Sequence, residues 1–234
     1  MGLHTTLRQL RHFAVSCKLD YQLCLENPDG ARGRSEGSKA MTSEPNQMTA
    51  QEFIQRLLAP DRAQTLDPFL ILSFCEINLH DTVADIGCGP GFFTLPLAKY
   101  LVSGKLYAVD MDEEMLDACR RRVAQARLGN VEILKSGEFD FPLGHGSLDG
   151  AFLAFVVQQS PDKPRLLRAV RDLLHSRGWC TILEWYRIET ETGPPLERRI
   201  DPEDLTHMAV EAGFRDQGWR DLNGEQYMLM LRNR

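Results

Sequence analysis

The sequence of 234 residues lacks three features that would point to particular functions. It has no excess of positive charge, since its formal net charge is −6, whereas proteins that bind nucleic acid usually carry a basic patch. Its longest apolar run, residues 151–157, is far short of the roughly 20 residues that span a bilayer. Its six cysteines include no C-x-x-C pair, so buried reduced thiols are expected rather than disulfides or a metal site. The sequence therefore predicts no nucleic-acid partner, no membrane span and no bound metal.

The first 47 residues differ in composition from the rest of the chain. Residues 26–47 are rich in glycine, serine, proline and charge, and they have too few large apolar side chains to offset their ordering entropy. This composition predicts that residues 1–47 are a disordered tail. Residues 1–18 contain three basic residues and no acid, which also resembles a mitochondrial presequence. We expect a cytoplasmic protein if the segment is a plain tail or precedes a later start codon, and a mitochondrial one if residues 1–25 are a presequence.

Residues 48–80 are predicted to form helices that cover a substrate. The sequence T-A-Q-E at residues 49–52 is a capping box, in which a threonine hydroxyl and a glutamate carboxylate satisfy each other's free backbone amides. An apolar stripe at helical spacing follows, formed by Phe53, Leu57 and Leu58. A second helix is predicted over residues 68–79. The expected role of this segment is a lid.

From residue 81 onward, short apolar runs alternate with amphipathic segments. The runs that predict strands are residues 82–86, 106–109, 131–134, 148–156, 179–183 and 227–231. Helices are predicted over residues 113–126 and 161–175, the second with Ser160 as its N-cap and Pro161 at its first position. A further helix is predicted to start at Asp201. Alternation at this spacing predicts the α/β class, with a parallel sheet that has helices on both faces.

A glycine-rich loop, D-I-G-C-G-P-G-F-F at residues 85–93, lies between the first predicted strand and the next helix. In open α/β sheets, ligands bind beyond the carboxyl ends of the strands, where such a loop lies. Dinucleotide sites prefer G-x-G-x-x-G/A, because a third small residue allows close packing and the loop amides hold a pyrophosphate. Here Phe92 stands where that third glycine belongs, and Pro90 has no amide hydrogen to donate. The loop therefore predicts a ligand without a pyrophosphate.

The segment V-A-D-I-G-C-G-P-G at residues 83–91 closely resembles the first motif of the class I S-adenosylmethionine-dependent methyltransferases. Two further marks follow in the family's order: the strand L-Y-A-V-D, which ends in Asp110, and F-P-L-G-H-G-S-L-D at residues 141–149. The chain looks closest to the group of ubiquinone and menaquinone biosynthesis methyltransferases, the methyltransferase type 11 group. The resemblance implies a Rossmann-like fold over residues 81–234, with a seven-stranded, mostly parallel sheet that ends in an antiparallel hairpin.

The resemblance also implies S-adenosylmethionine as the cofactor and assigns residues to it. Asp85 would lie near the amino-acid end, Asp110 would accept from the ribose hydroxyls, and Met111 would lie against the adenine. The backbone would approach the cofactor at three glycines, Gly87, Gly89 and Gly91. Glu138 would meet the adenine amino group, one residue later than the family's usual acid. Other roles stay open, because Asp85 also fits a turn cap, Asp110 a helix N-cap and Glu138 a solvated loop acid.

The implied reaction is an in-line displacement that transfers a methyl group to a small-molecule acceptor. A sulfonium is a good leaving group, so placement and desolvation supply much of the rate and a base is optional. Glu184, at the end of the fifth strand, is the candidate base. A sensor or partner subunit that binds the cofactor without catalysis, and an oxidoreductase with a nucleotide cofactor, are the alternatives. A homodimer is also left open.

Overall fold

The computed structural model describes residues 48–234. The predictions of a tail or presequence therefore lie outside the described residues. Within the described part, no helix combines the length and apolar character needed to cross a membrane. The four cysteines there are free thiols, and three of them are buried, as expected from the sequence.

Three short helices precede the sheet: α1 (Ala50–Leu57), α2 (Pro60–Thr65) and α3 (Pro68–Leu72). The predicted capping box is confirmed, because the amide of Glu52 donates to the Thr49 hydroxyl and the amide of Thr49 donates to the Glu52 carboxylate. The helix predicted over residues 68–79 is too long, since α3 ends at Leu72. The Asp81 carboxylate accepts from the amide of Asn78, and this polar turn leads the chain into the first strand instead of continuing the helix.

The sheet has seven strands in the order β3-β2-β1-β4-β5-β7-β6. Their bounds are β1 Thr82–Ile86, β2 Lys105–Asp110, β3 Val131–Lys135, β4 Leu148–Ala154, β5 Leu174–Trp185, β6 Phe214–Asp221 and β7 Gln226–Asn233. The first five strands run parallel, whereas β7 is antiparallel to both β5 and β6. This arrangement confirms the predicted Rossmann-like methyltransferase fold with its closing antiparallel hairpin.

Four more helices connect the strands: α4 (Thr94–Tyr100), α5 (Glu113–Gln125), α6 (Lys163–Leu173) and α7 (Pro202–Glu211). The predicted start of α6 is wrong by two residues. Ser160 is extended and ends a short 3₁₀ turn, Val157–Gln159, whereas Asp162 is the N-cap and accepts from the amide of Arg165 at 3.0 Å. A carboxylate that reaches the free amides of the first turn sets the helix start here.

Helices on both faces bury the sheet. One apolar cluster packs α6 and α7 against β4, β5 and β7, and a second packs α3 and α4 against β1, β2 and β4. Strand β1 is the point at which the strand order reverses, because its neighbours β2 and β4 follow it in chain order on opposite sides. In open α/β sheets a crevice for ligands forms at the carboxyl ends of the strands beside such a point.

Candidate functional site

A cleft of about 360 Å³ lies at that point, beyond the carboxyl ends of β1, β2 and β4. Its floor is the glycine loop that joins β1 to α4. Residues of α1 and α2 reach over it, and those that line it are Phe53, Leu57 and Arg62. The predicted lid segment and the predicted loop therefore border the same space.

The three glycines of the loop all have positive φ angles, and a side chain at each would meet a different neighbour. A Cβ at Gly87 would lie 2.4 Å from a methyl carbon of Val156, and one at Gly91 would lie 3.0 Å from the Cys119 sulfur. A Cβ at Gly89 would meet only a methyl group of Leu57, at 3.9 Å. A glycine at position 87 is thus needed for packing as well as for the turn. The side of Gly89 on which a Cβ would stand, its bare side, opens toward the cleft.

Asp110 ends β2 and holds the glycine loop in place. Its carboxylate accepts from the amide of Gly89 at 2.8 Å and from the amide of Asp112 at 2.9 Å. Burial raises the pKa of Asp110, and the hydrogen bonds from the backbone oppose that rise. The N-cap of α5 is Asp112, which accepts from the amides of Glu114 and Met115, so Asp110 is not the cap of that helix.

Asp85 is almost completely buried at the end of β1 and lines the cleft. The hydroxyl of Thr94, in the first turn of α4, donates to its carboxylate at 2.6 Å. Burial raises the pKa of Asp85 to about 7, the Thr94 bond lowers it, and the nearby Asp110 charge raises it further. A carboxyl group with such a pKa is poised to ionise when a positive charge approaches it.

The other two residues assigned to the cofactor also border the cleft. Met111 is exposed directly after β2 and lines the cleft. Glu138 accepts a hydrogen bond from the Ser160 hydroxyl at 3.3 Å. Of the residues that the sequence assigned to the cofactor, Gly91 alone is not part of the cleft lining.

The candidate base, Glu184, lies outside this lining. It is completely buried, and its carboxylate accepts from the amide of Gln158 at 3.0 Å. Burial raises the pKa of Glu184 to about 8, and the hydrogen bonds from the amides of Gln158 and Val157 lower it. A proton acceptor must come within hydrogen-bond reach of its substrate, so this position does not support the role of base. The contacts of Glu184 instead fix the turn that follows β4.

The sequence did not single out two residues that shape the cleft. Phe155 has a φ of +63°, rare for an aromatic residue, and its carbonyl accepts from the Gln159 side chain at 2.6 Å. Arg62 lies with its guanidinium carbon 4.5 Å from the ring centre of Phe92. The apolar run through Phe155 reads as a plain strand, and the short helix α2 has no motif, so neither residue had a local signal.

Comparisons with known proteins agree with this geometry. A family model described as a methyltransferase domain matches residues 83–178. Trans-aconitate 2-methyltransferase of Mycolicibacterium gilvum is 30% identical over 138 residues, which cover 51% of this chain and 54% of that protein. Demethylmenaquinone methyltransferase of Symbiobacterium thermophilum is 31% identical over 106 residues, which cover 44% of this chain and 42% of that protein. The chain thus spans about half the length of the curated relatives it matches.

Solved structures extend the likeness over most of the described chain. A SAM-dependent methyltransferase from Aquifex aeolicus is 27% identical and superposes with a TM-score of 0.74. The match covers 80% of this chain and 99% of the other. The fold, the cleft and the matched segment together are those of a class I S-adenosylmethionine-dependent methyltransferase domain. The two curated relatives and this solved structure are all methyltransferases, which agrees with the resemblance that the glycine motif indicated.

Proposed function

We propose that this chain transfers a methyl group from S-adenosylmethionine to a small-molecule acceptor. The observation that carries the proposal is the bare side of Gly89, which opens toward the cleft beside the Asp110 carboxylate. A backbone without a Cβ allows a ligand to approach closely, and a carboxylate at the end of the second strand is suited to accept from ribose hydroxyls. Both features fit the cofactor of the class.

The lining provides a place for each part of S-adenosylmethionine. Asp110 would accept from the ribose, Met111 and Glu138 would border the adenine, and Asp85 would face the positively charged end. Gly87 and Gly91 would act indirectly, because their lack of a side chain lets Val156 and Cys119 pack against the loop. The assignment of these residues to the cofactor is our proposal.

The residues of the chain would mainly place the reactants and exclude water. When bound, S-adenosylmethionine supplies a methyl group on a sulfonium, which leaves as a neutral thioether without a proton from the protein. Helices α1 and α2 would cover the reacting groups, and the turn after β4, held by Glu184 through Gln158, would shape the acceptor side. Glu184 is thereby proposed as a positioning residue rather than a base.

A small-molecule acceptor is supported by the size and walls of the cleft. The cleft of about 360 Å³ under α1 and α2 would hold cofactor and acceptor together, so the room left beside the cofactor suits a small acceptor. Phe92, Phe93 and Phe155 contribute apolar walls to it. The names of the two curated relatives also refer to small molecules, trans-aconitate and demethylmenaquinone. A homodimer and a cytoplasmic location stay predictions.

S-adenosylmethionine and S-adenosylhomocysteine are each expected to raise the melting temperature of the full chain. Ligand at 100 times its Kd adds about 2.7 kcal/mol to the free energy of unfolding. For a domain of this size that corresponds to about 5 to 10 °C. Differential scanning fluorimetry measures the shift, with NADH as the matched control because an oxidoreductase would respond to it. No shift at millimolar cofactor, or a shift with NADH alone, would contradict the proposal. Turnover measured with a panel of acceptors then separates an enzyme from a sensor that only binds the cofactor.

The affinity for S-adenosylmethionine is expected to rise between pH 5 and pH 7 and then to level off. Burial raises the pKa of Asp85 to about 7 in the free protein, so below that pH the carboxyl group is largely protonated. A cationic ligand prefers the ionised form, so binding releases a proton and becomes tighter as pH rises to that pKa. Isothermal titration in buffers of different ionisation enthalpy measures both effects. Asp85→Asn should abolish the slope, and an equal slope in that variant would assign the titration to another group.

A further inference from the structure

Two thiols lie against each other beside the glycine loop. Cys88 belongs to the loop, and Cys119 lies on α5. Both are free and buried, and a hydrogen bond joins their side chains. Cys119 also packs against the loop, since a Cβ at Gly91 would lie 3.0 Å from its sulfur. The proposed methyl transfer uses neither thiol.

The hydrogen bond makes the two thiols unequal in acidity. It lowers the pKa of Cys119 below its usual value and raises the pKa of Cys88, as expected when the Cys88 thiol donates to the Cys119 sulfur. Burial opposes the fall at Cys119, whereas the Thr94 hydroxyl, 3.9 Å from its sulfur, and the positive charge of Arg122 support it. The thiolate is the nucleophilic form of cysteine, so Cys119 is the more reactive of the two.

A small oxidant reaches the pair through the cleft. Cys88 is part of the cleft lining, directly before Gly89 in the loop. Cys119 is not part of the lining but contacts Cys88. A peroxide in the cleft therefore stands next to the thiol pair. The cofactor proposed for this cleft would occupy the same approach.

The other two described cysteines provide a comparison. Cys75 follows α3, and Cys180 lies on β5, close enough for the Cys75 charge to act on it. Burial raises the pKa of the Cys75 thiol to about 12 and raises the pKa of Cys180 well above its usual value. Neither is a thiolate near neutral pH, and buried thiols of this kind are inert. Acidity, rather than proximity alone, therefore distinguishes the two pairs.

We propose that Cys88 and Cys119 are a modification site, at which a peroxide oxidises the two thiols to a disulfide and thereby weakens cofactor binding. The Cys119 thiolate attacks one peroxide oxygen, the O–O bond breaks, and a sulfenic acid and hydroxide form. The Cys88 sulfur then attacks the sulfur of Cys119, the S–O bond breaks, and the oxygen leaves as water with the proton of the Cys88 thiol. The peroxide takes up the two electrons that the sulfurs lose.

The disulfide would disturb the part of the loop nearest to the cofactor. A covalent bond replaces a hydrogen-bonded contact, so Cys88 must move toward α5. Its neighbour Gly89, whose amide donates to the Asp110 carboxylate at 2.8 Å, would be drawn away from that partner. The loss of affinity rests on the proposed function, because it concerns the cofactor, whereas formation of the disulfide does not. Binding and oxidation oppose each other, since each favours a different position of the loop.

Peptide mapping of the full chain tests the modification. Cys17→Ser and Cys24→Ser first remove the two cysteines that lie outside the described residues. After treatment with hydrogen peroxide, the remaining thiols are blocked in denaturant. A protease that cuts after glutamate then separates Cys75 from Cys88, because Glu76 lies between them.

Mass spectrometry is expected to find the peptide of Cys88 joined to the peptide of Cys119. Cys75 and Cys180 should still be reduced and carry the blocking group, which makes them an internal control. Saturating S-adenosylhomocysteine during the oxidation should slow formation of the joined peptide, because the ligand holds the loop and covers Cys88. An equal rate with and without this ligand would contradict the expected opposition between binding and oxidation.

Isothermal titration with S-adenosylhomocysteine measures the consequence for the cofactor site. Oxidised protein is expected to bind this ligand about 5- to 150-fold more weakly than reduced protein, the usual range for coupled sites, and dithiothreitol should restore the affinity. Cys119→Ser should show the same affinity before and after peroxide, because no disulfide can form, and Cys119→Ala repeats the measurement with a side chain that cannot be oxidised. Cys75→Ser is the matched control and should respond to peroxide as the protein with Cys75 does.

The outcomes separate the inference from the proposed function. Peroxide-treated protein that lacks the joined peptide overturns the inference, and so does joined peptide with unchanged affinity. A loss of affinity that dithiothreitol does not reverse, or that persists in Cys119→Ser, also overturns it, because oxidation of the exposed Met111 in the cleft would act in that way. Reduced protein that does not bind S-adenosylhomocysteine overturns the proposed function, while the joined peptide still decides the modification.

Discussion

Asp110→Ala is expected to weaken S-adenosylmethionine binding by about 5- to 150-fold, which corresponds to roughly 1 to 3 kcal/mol. The substitution removes the proposed acceptor for the ribose hydroxyls. It also removes the acceptor of the Gly89 amide, so the loop that approaches the cofactor loses one of its anchors. Isothermal titration with S-adenosylmethionine and S-adenosylhomocysteine should show losses of similar size, because the two ligands share the ribose.

Asp112→Ala is the matched control for this experiment. Asp112 caps α5 through the amides of Glu114 and Met115, so its loss should cost about 0.5 to 2 kcal/mol of stability. Cofactor affinity should change much less than in Asp110→Ala. An equal loss of affinity in both variants would mean that the helix start, rather than the ribose acceptor, governs binding. Affinity in Asp110→Ala within error of wild type would remove Asp110 from the site.

The parts of the fold that the sequence predicted are those where local pattern and tertiary packing agree. The strand at residues 82–86 was predicted to the residue, because an apolar run meets polar residues at one end and the glycine loop at the other. Two of the errors in helix bounds lie near turns in which a carboxylate accepts from a backbone amide. The carboxylate of Asp81 accepts from the amide of Asn78 in the turn before β1, and that of Asp162 caps α6 in place of Ser160. Each contact depends on which donor a carboxylate reaches, and spacing alone does not show it.

The same distinction applies to the candidate site. Asp85 and Asp110 were assigned through the resemblance, and each lies at or next to the end of an apolar strand, which has a defined place in a parallel sheet. Glu184 also follows an apolar run, yet the turn after β4 covers it and leaves it fully buried. Arg62 and Phe155 were missed because their positions arise from the packing of α2 over the sheet and from a single left-handed residue. Neither event leaves a periodic signal in the sequence.

Gly87→Ala is expected mainly to lower the stability of the protein, whereas Gly89→Ala is expected mainly to lower its affinity for the cofactor. A Cβ at Gly87 would lie 2.4 Å from a methyl carbon of Val156, and its φ of +68° is unfavourable for alanine. The left-handed backbone should cost about 1 to 2 kcal/mol and the overpacking about 1 to 3 kcal/mol. Together these costs should lower the melting temperature by roughly 5 to 20 °C. Gly89→Ala meets no neighbour closer than 3.9 Å, so it should incur the backbone cost alone.

Cofactor binding should show the reverse order once folded protein is compared. The Cβ of Gly89→Ala would occupy the side of the loop that the ligand approaches, and Gly89→Val should abolish detectable binding because a branched side chain blocks more of it. Gly87→Ala combined with Val156→Ala removes the clash and should recover most of the overpacking cost, which thermal unfolding of the double variant measures. If Gly89→Ala instead bound S-adenosylhomocysteine as tightly as wild type, the ligand would not contact the loop at this residue. The open side of Gly89 would then no longer support the proposed function. If Gly87→Ala were as stable as wild type, Val156 would have room to move, and the glycine would serve the turn alone.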